Sequence, residues 1–309
     1  AIRDVYKRQV CTCTDTHQSH IPYNHLFMSG LEDLRAKYEA AGQSHVFTYW
    51  DQLSADEKAA FERQLCGIDP ARLNAMVKQA LDADEAARHE QNAKVEPPPT
   101  ESQVSTVGDE AKSNYFYEIG MKAIAAGQVG VLLLAGGQGT RLGSSAPKGC
   151  YNIQLPSGKS LFQIQAERIA KLQELAANYG RKTSVVVPWY IMTSGPTREP
   201  TESFFREHGF FGLDPANVVF FEQGTLPCIS NEGKIMLDER GKVATAPDGN
   251  GGLYAALRVP VKDGEPSVLD DLQRRGIKYL HAYGVDNCLV KVGDPVFMLS
   301  LIHISDGAR

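Results

Sequence analysis

The chain has 309 residues, 42% of them hydrophobic and 22% charged, with a formal net charge of -5. That length allows one large or two ordinary domains of globular composition. The acidic balance argues against a general nucleic-acid binder, and no apolar run reaches the roughly 18–20 residues of a membrane-spanning helix, so neither nucleic acid nor membrane is expected as a partner.

Residues 1–27 carry no hydrophobic period. Cys11 and Cys13 stand there near His17, His20 and His25. A second cysteine pair at metal-ligand spacing is absent, so the expectation is an unstructured leader rather than a metal site. Cys66, Cys150, Cys228 and Cys288 are scattered, which fits a reducing cytoplasm and no disulfide framework.

From Met28 the pattern becomes helical. Leu31, Leu34 and Tyr38 recur at helical spacing before Gly42. Ser54 and Glu57 form a capping box ahead of Phe61 and Leu65. Asp69 and Pro70 then open a third helix whose apolar stripe is Leu73, Met76, Val77 and Leu81, expected as core. The polar stretch QNAKVEPPPTESQVST at 91–106 reads as a linker. Residues 28–106 are thus a helical region and its linker.

A helix over about 110–126, stopped by Gly127, precedes the apolar strand VGVLLLA. A helix over 160–180 follows, then the strand TSVVVPWYIM, the helix TESFFREHG and the strand NVVFFEQ. The helix DDLQRRG and the strand KYLHAYGV close the series. Strands alternating with helices over 107–297 predict an α/β fold with a mostly parallel sheet.

The first strand empties into AGGQGTRLGSSAPKG. Glycines at such a turn let backbone N–H groups approach an anion. A Walker A run is absent, and the dinucleotide fingerprint fails because Leu142 stands where a glycine is needed. Arg141 and Lys148 would set two permanent cations beside the loop, which suits a triphosphate whose charge must be offset as a bond breaks. The later loop APDGNGGLYAAL resembles a turn or a calcium loop, but Gly252 replaces a required oxygen ligand of the latter. Asp286 ends the last strand, where α/β sheets place ligand-binding groups. His208 and His281 belong to no motif and read as structural.

The pattern LAGGQGTRLG with its following PKG resembles the signature of the sugar nucleotidyltransferases, and in its Gln138–Arg141 form that of the UDP-N-acetylhexosamine pyrophosphorylases. WYIMTS, FFEQGTLPCI, APDGNGGLYAAL and HAYGVDN agree with that family in the same order. The resemblance covers about residues 28–297, with 258–271 longer than the family's connection. It implies a Rossmann-like, GT-A-like nucleotidyltransferase sheet with helices on both faces behind a small helical N-terminal region. It further implies that Leu134, Ala135, Gly136, Gly137, Lys148, Gln223, Gly249 and Asp286 bind the nucleotide and that Asn250 binds the sugar. Asp286 would hold Mg²⁺ or Mn²⁺, and Arg141 and Lys148 would be the catalytic cations. The substrates implied are UTP and an N-acetylhexosamine 1-phosphate. A UDP-glucose or broader UDP-sugar pyrophosphorylase is the alternative within the class. AIRDVYKRQ and MLSLIHISDGAR resemble translated adapter sequence, so 1–27 and 298–309 are expected to be non-native. A chain lacking the family's later sugar contacts is then expected to bind nucleotide without turning over.

Overall fold

A computed structural model describes residues 30–89, 97, 99, 105–139, 143, 146–262 and 264–298. The leader at 1–27 with its Cys–His group, Arg141, and the tail after Met298 lie outside the described residues. In chain order the elements are helices α1 (Leu31–Ala40), α2 (Ala55–Cys66), α3 (Pro70–His89) and α4 (Glu110–Ala125), strand β1 (Val129–Leu134), helix α5 (Leu161–Gly180), strand β2 (Trp189–Thr193) and helix α6 (Gly195–Glu207). Strands β3 (Val218–Glu222), β4 (Thr225–Pro227), β5 (Leu237–Glu239), β6 (Lys242–Val243) and β7 (Thr245–Pro247) follow, then helices α7 (Leu253–Ala256) and α8 (Val268–Arg275) and strand β8 (Tyr279–Gly284).

The chain forms two compact units, and the first is discontinuous: residues 1–93 with 227–244, against 94–226 with 245–309. In the first unit α1, α2 and the start of α3 surround Tyr38, Phe61 and Leu65, each at most 1% exposed. The capping box predicted at α2 is present, with Glu57 N–H donating to Ser54 Oγ and Ser54 N–H to Glu57 Oε2. Asp69 Oδ1 accepts the Ala71 and Arg72 N–H groups at the head of α3. The stripe expected along α3 is only partly core. Leu73 is buried, but Met76 and Leu81 are 41% and 59% exposed, because no described element covers that end of the helix.

The segment 227–244, read from sequence as part of the sheet region, packs in this unit instead. It brings the antiparallel pair β5–β6 and adds Ile235 and Val243 to the helical core. Two glutamines act as backbone surrogates for it. Gln64 donates to the Val243 carbonyl and accepts from the Val243 N–H, and buried Gln43 does the same for Gly233 O and Ile235 N–H. Buried backbone groups must be paired, so these amides fix the segment's register.

The second unit holds a four-stranded, all-parallel sheet in the order β3-β2-β1-β8. Its strands are continuous apolar runs because both faces are covered. Val131, Leu133, Trp189, Ile191 and Phe220 face one core with residues of α4, α5 and α6. Leu132, Tyr190, Met192 and Phe221, one residue out of phase, face a second core with α7 and α8. The predicted strand at 183–192 begins only at Trp189. Pro188 has no N–H for the ladder, and its carbonyl accepts from Val131 as the last bond before pairing starts. β1 to β3 step outward in one direction and β8 lies on β1's other side, so the strand order reverses between β1 and β8. That is where doubly wound sheets open a crevice beyond the strands' carboxyl ends.

Candidate active site

Everything the glycine loop does starts from the end of β1. Ala135 is 1% exposed and donates to the Met192 carbonyl, which ties the strand end to β2. Beyond it the chain leaves the sheet and returns as a narrow ladder. Gln138 bridges to Pro147, Gly139 N–H reaches Ala146 O, and Lys148 N–H reaches Gly137 O at 3.2 Å. This ladder explains the spacing of the motif, since it sets Lys148 beside Gly137 although eleven residues separate them in sequence. A Cβ on Gly137 would lie 3.4 Å from Lys148 Cε and 3.6 Å from its Nζ, so the ammonium stem runs along the loop backbone.

Gly149 is needed for a different reason. Its φ is not positive; instead a Cβ there would overlap the ring of Phe162 on α5. The turn carrying Lys148 can therefore sit flat on the helix only if residue 149 has no side chain.

Across the reversal point Asp286 follows β8. Its Oδ2 lies 3.6 Å from Lys148 Nζ, with the two side chains 31% and 72% exposed. A pair that exposed contributes about 0–1 kcal/mol, so it is not what holds the loop in place. A Cβ on Gly284 would stand 2.9 Å from Asp286 Oδ1, so that glycine leaves the carboxylate its room. Among the described residues no group of three or more His, Cys, Asp or Glu side chains could hold a metal ion. An exposed carboxylate 3.6 Å from the Lys148 ammonium does fit Mg²⁺ chemistry, in which one or two carboxylates, substrate phosphates and waters share the ion.

Gln223 follows β3, and its N–H donates to the Thr193 carbonyl at 2.9 Å. Its amide lies against the loop backbone: a Cβ on Gly136 would be 2.9 Å from Gln223 Nε2 and 3.1 Å from Oε1. Leu134, Ala135, Gly136, Gly137, Lys148, Gln223 and Asp286 are thus gathered at one edge of the sheet. Gly249 belongs to a loop tied to the same edge, since Asp248 N–H donates to the Gly224 carbonyl. Of Asn250 only the backbone is described, in the 3-10 turn Asn250–Gly252. Arg141 lies outside the described residues.

Three groups here were not singled out by sequence reasoning. Ser194 Oγ donates to the Gly136 carbonyl at 2.8 Å, and Thr197 Oγ1 lies 2.9 Å from it. Asp248 wedges its carboxyl between Gly224 and Gly252, with Oδ1 buried and without a hydrogen-bond partner. Burial pushes that carboxyl above its ordinary range. Gly224 and Gly252 make room for this wedge, but only the folded loop sets them on either side of Asp248. Nothing in a lone serine after a strand marked Ser194.

Cys150 adjoins Lys148, but burial, with Glu207 adding to it, pushes its thiol up to about 11. It stays protonated at neutral pH and is no nucleophile. His281 accepts the Gly293 N–H on Nδ1, and burial lowers its pKa, so it is a neutral packing group. Among the described residues the carboxyl end of the sheet therefore presents loop backbone, the Gln223 amide, the Lys148 ammonium and the Asp286 carboxylate. The chemistry of such a set suits holding and orienting a phosphate ester.

A sequence profile of the UTP–glucose-1-phosphate uridylyltransferase family matches residues 72–306. The chain is 48% identical over 266 residues to UDP-N-acetylglucosamine diphosphorylase 2 of Arabidopsis thaliana, covering 83% of this chain and 50% of that protein. It is 42% identical over 274 residues to UDP-N-acetylglucosamine pyrophosphorylase of Saccharomyces cerevisiae, covering 87% and 55%. Its fold matches the crystal structure of the Trypanosoma brucei uridine diphosphate N-acetylglucosamine pyrophosphorylase with a TM-score of 0.76 and 32% identity, over 90% of this chain and 55% of that one. The chain thus spans about half the length of the curated relatives it matches. Its parallel sheet, covered on both faces and following a helical N-terminal region, is the nucleotidyltransferase fold that the resemblance implied. With its profile match, its relatives and its fold in agreement, the chain belongs to the UTP–glucose-1-phosphate uridylyltransferase family.

Proposed function

We propose that the protein works in uridylyl transfer: UTP and N-acetyl-α-D-glucosamine 1-phosphate give UDP-N-acetylglucosamine and diphosphate. The relatives reported above carry that activity in their names. The observation that carries the reading for this chain is Lys148, laid along Gly137 and facing Asp286 where the strand order reverses.

In this reading the backbone at Gly136–Gly137 holds the nucleotide phosphates, and the Gln223 amide reads the uracil edge with one donor and one acceptor. A phosphate oxygen of the sugar phosphate attacks the α-phosphorus in line. The bond from that phosphorus to the bridging oxygen breaks, and diphosphate leaves with the electron pair. The attacking oxygen is already ionised, so no general base is needed. Lys148, joined by Arg141, offsets charge as it gathers on the leaving diphosphate. Asp286 would hold a divalent cation, Mg²⁺ or Mn²⁺, which would supply positive charge to offset that of the phosphates. Asn250 would contact the sugar. The free thiols of Cys66, Cys150, Cys228 and Cys288 support a reducing, cytoplasmic setting.

Calorimetric titration of the chain with UTP, followed by diphosphate release with each sugar phosphate, tests the reading. We expect UTP to bind and CTP to bind more weakly, and any turnover to be faster with N-acetylglucosamine 1-phosphate than with glucose 1-phosphate. Preference for glucose 1-phosphate would move the assignment to a UDP-glucose pyrophosphorylase. UTP binding without turnover would leave the chain a nucleotide binder, and absence of UTP binding would sink the reading.

A further inference from the structure

We propose that Ser194, supported by Thr197, is a positioning residue that turns the Gly136–Gly137 peptide so that the Gly137 N–H faces an incoming polyphosphate. The proposal rests on the nucleotide-binding reading above and adds to it the group that orients the loop. Both hydroxyls are buried, Ser194 at 6% and Thr197 at 0% exposure. A carbonyl oxygen can only accept, so the 2.8 Å contact with Gly136 O takes the single proton of Ser194 Oγ. Ser194 Oγ must then accept in its 2.9 Å contact with Thr197 Oγ1, which makes Thr197 the donor. Thr197 Oγ1 in turn accepts the Ser194 N–H at 3.0 Å. The Ser194 Oγ to Gly136 carbonyl step is thus fixed in direction; Thr197 Oγ1 has a second acceptor in the Ser194 carbonyl at 3.3 Å, and its shorter contact with Ser194 Oγ extends the chain from Thr197 to Ser194 to the Gly136 carbonyl, each bond polarising the next.

The consequence lies on the other side of the peptide. In a trans peptide the carbonyl and the following N–H point in opposite directions, and no cis bond occurs among the described residues. Drawing the Gly136 carbonyl in toward Ser194 turns the Gly137 N–H outward. Gly137 is exposed, and Lys148 runs beside it. An outward N–H flanked by an ammonium is a complement to a phosphate oxygen. Were the peptide flipped, its carbonyl would face the phosphates and repel them. Gln223, packed against Gly136, leaves the loop little room to rearrange by another route.

The test titrates the wild-type chain and Ser194→Ala, Ser194→Thr and Thr197→Val variants with UTP and with tripolyphosphate by calorimetry, and with uridine by ligand-observed NMR. Ser194→Ala is expected to weaken UTP and tripolyphosphate about tenfold, the size of one hydrogen bond's net contribution, and to leave uridine unchanged. Ser194→Thr keeps the hydroxyl at a backbone conformation, φ -118° and ψ 163°, that β-branched residues favour, and is expected to restore binding. Thr197→Val should show a smaller loss of the same selectivity. Equal weakening of uridine and UTP would mark a merely structural role and overturn the proposal, as would unchanged UTP affinity in Ser194→Ala. A wild-type chain that binds tripolyphosphate but not uridine would refute the uridine reading, and the tripolyphosphate loss in Ser194→Ala would still decide the role of Ser194. A wild-type chain that binds neither UTP nor tripolyphosphate overturns both.

Discussion

Lys148 and Gln223 reach the same loop with different chemistry, and substitution should separate them. On the proposed reading the Lys148 ammonium faces the leaving diphosphate and acts mainly as charge develops, so Lys148→Met is expected to lower kcat by roughly a hundredfold with a smaller change in KM. On the proposed reading Gln223 meets the base in ground and transition state alike. Gln223→Ala is therefore expected to raise the KM for UTP about tenfold, to narrow the preference for UTP over CTP, and to leave kcat near its starting value. Steady-state kinetics with both nucleotides checks the pair, and a fall in kcat alone for Gln223→Ala would contradict the base-reading role. Both residues were readable in the sequence because each sits in a motif. Ser194 and Asp248 were not, since their work depends on what stands opposite: a carbonyl 58 residues away for Ser194, and for Asp248 two glycines that only the folded loop brings to either side.

At the scale of elements, two close fits decide where strands and helices rest. The turn at Lys148–Cys150 lies on α5 through the contact of Gly149 with Phe162. Gly149→Ala overpacks that contact and is expected to cost about 1–3 kcal/mol in denaturant unfolding while lowering kcat by displacing Lys148. Unchanged stability would show that the turn can lift off the helix freely. The second fit is the buried junction of α8 and β2. Tyr190 donates to Asp271 at 2.8 Å, and Arg274 and Arg275 both pair with the same carboxylate, which is 6% exposed. Burial raises the pKa of Asp271, but the bonds from Tyr190, Arg275 and Arg274 outweigh it and leave the carboxyl below its ordinary value. A carboxyl lowered on folding adds stability above its unfolded pKa and loses it as pH falls through the folded one. Asp271→Ala should thus cost about 3 kcal/mol at pH 7, with the gap in Tm to wild type closing as pH drops below about 4. Thermal melts across that range check it. Periodicity was enough to find all four sheet strands and the helices α5, α6 and α8 between them, but not the short α7, which was read as part of a glycine loop. Where β2 starts, and which part of α3 is core, depended on Pro188 and on what covers the helix, which periodicity does not report.

For the whole molecule the informative fact is that the first unit borrows residues 227–244 from the far side of β1 to β3. Ile235 and Val243 are 2% and 1% exposed in its core. A chain beginning at Ser105 would leave both in water and orphan the backbone groups that Gln43 and Gln64 satisfy. It is expected to aggregate, and replacing 228–243 in it by a short Gly/Ser link is expected to restore a monodisperse species by size-exclusion chromatography. A monodisperse chain without that replacement would count against the shared core. This division was not readable in the sequence. The segment's few apolar residues have neither helical nor strand period, and their complement lies about two hundred residues earlier.

The same borrowing sets an order on biosynthesis. Gln43 meets Gly233 across 190 residues and Ile235 across 192. At about 5–20 residues per second, a ribosome supplies those partners roughly 10–40 s after Gln43 is made. The helices translated first are therefore among the last parts to be sealed. Through that interval Tyr38, Phe61 and Leu65 wait with one wall of their core missing, a window in which a holdase chaperone would find its substrate.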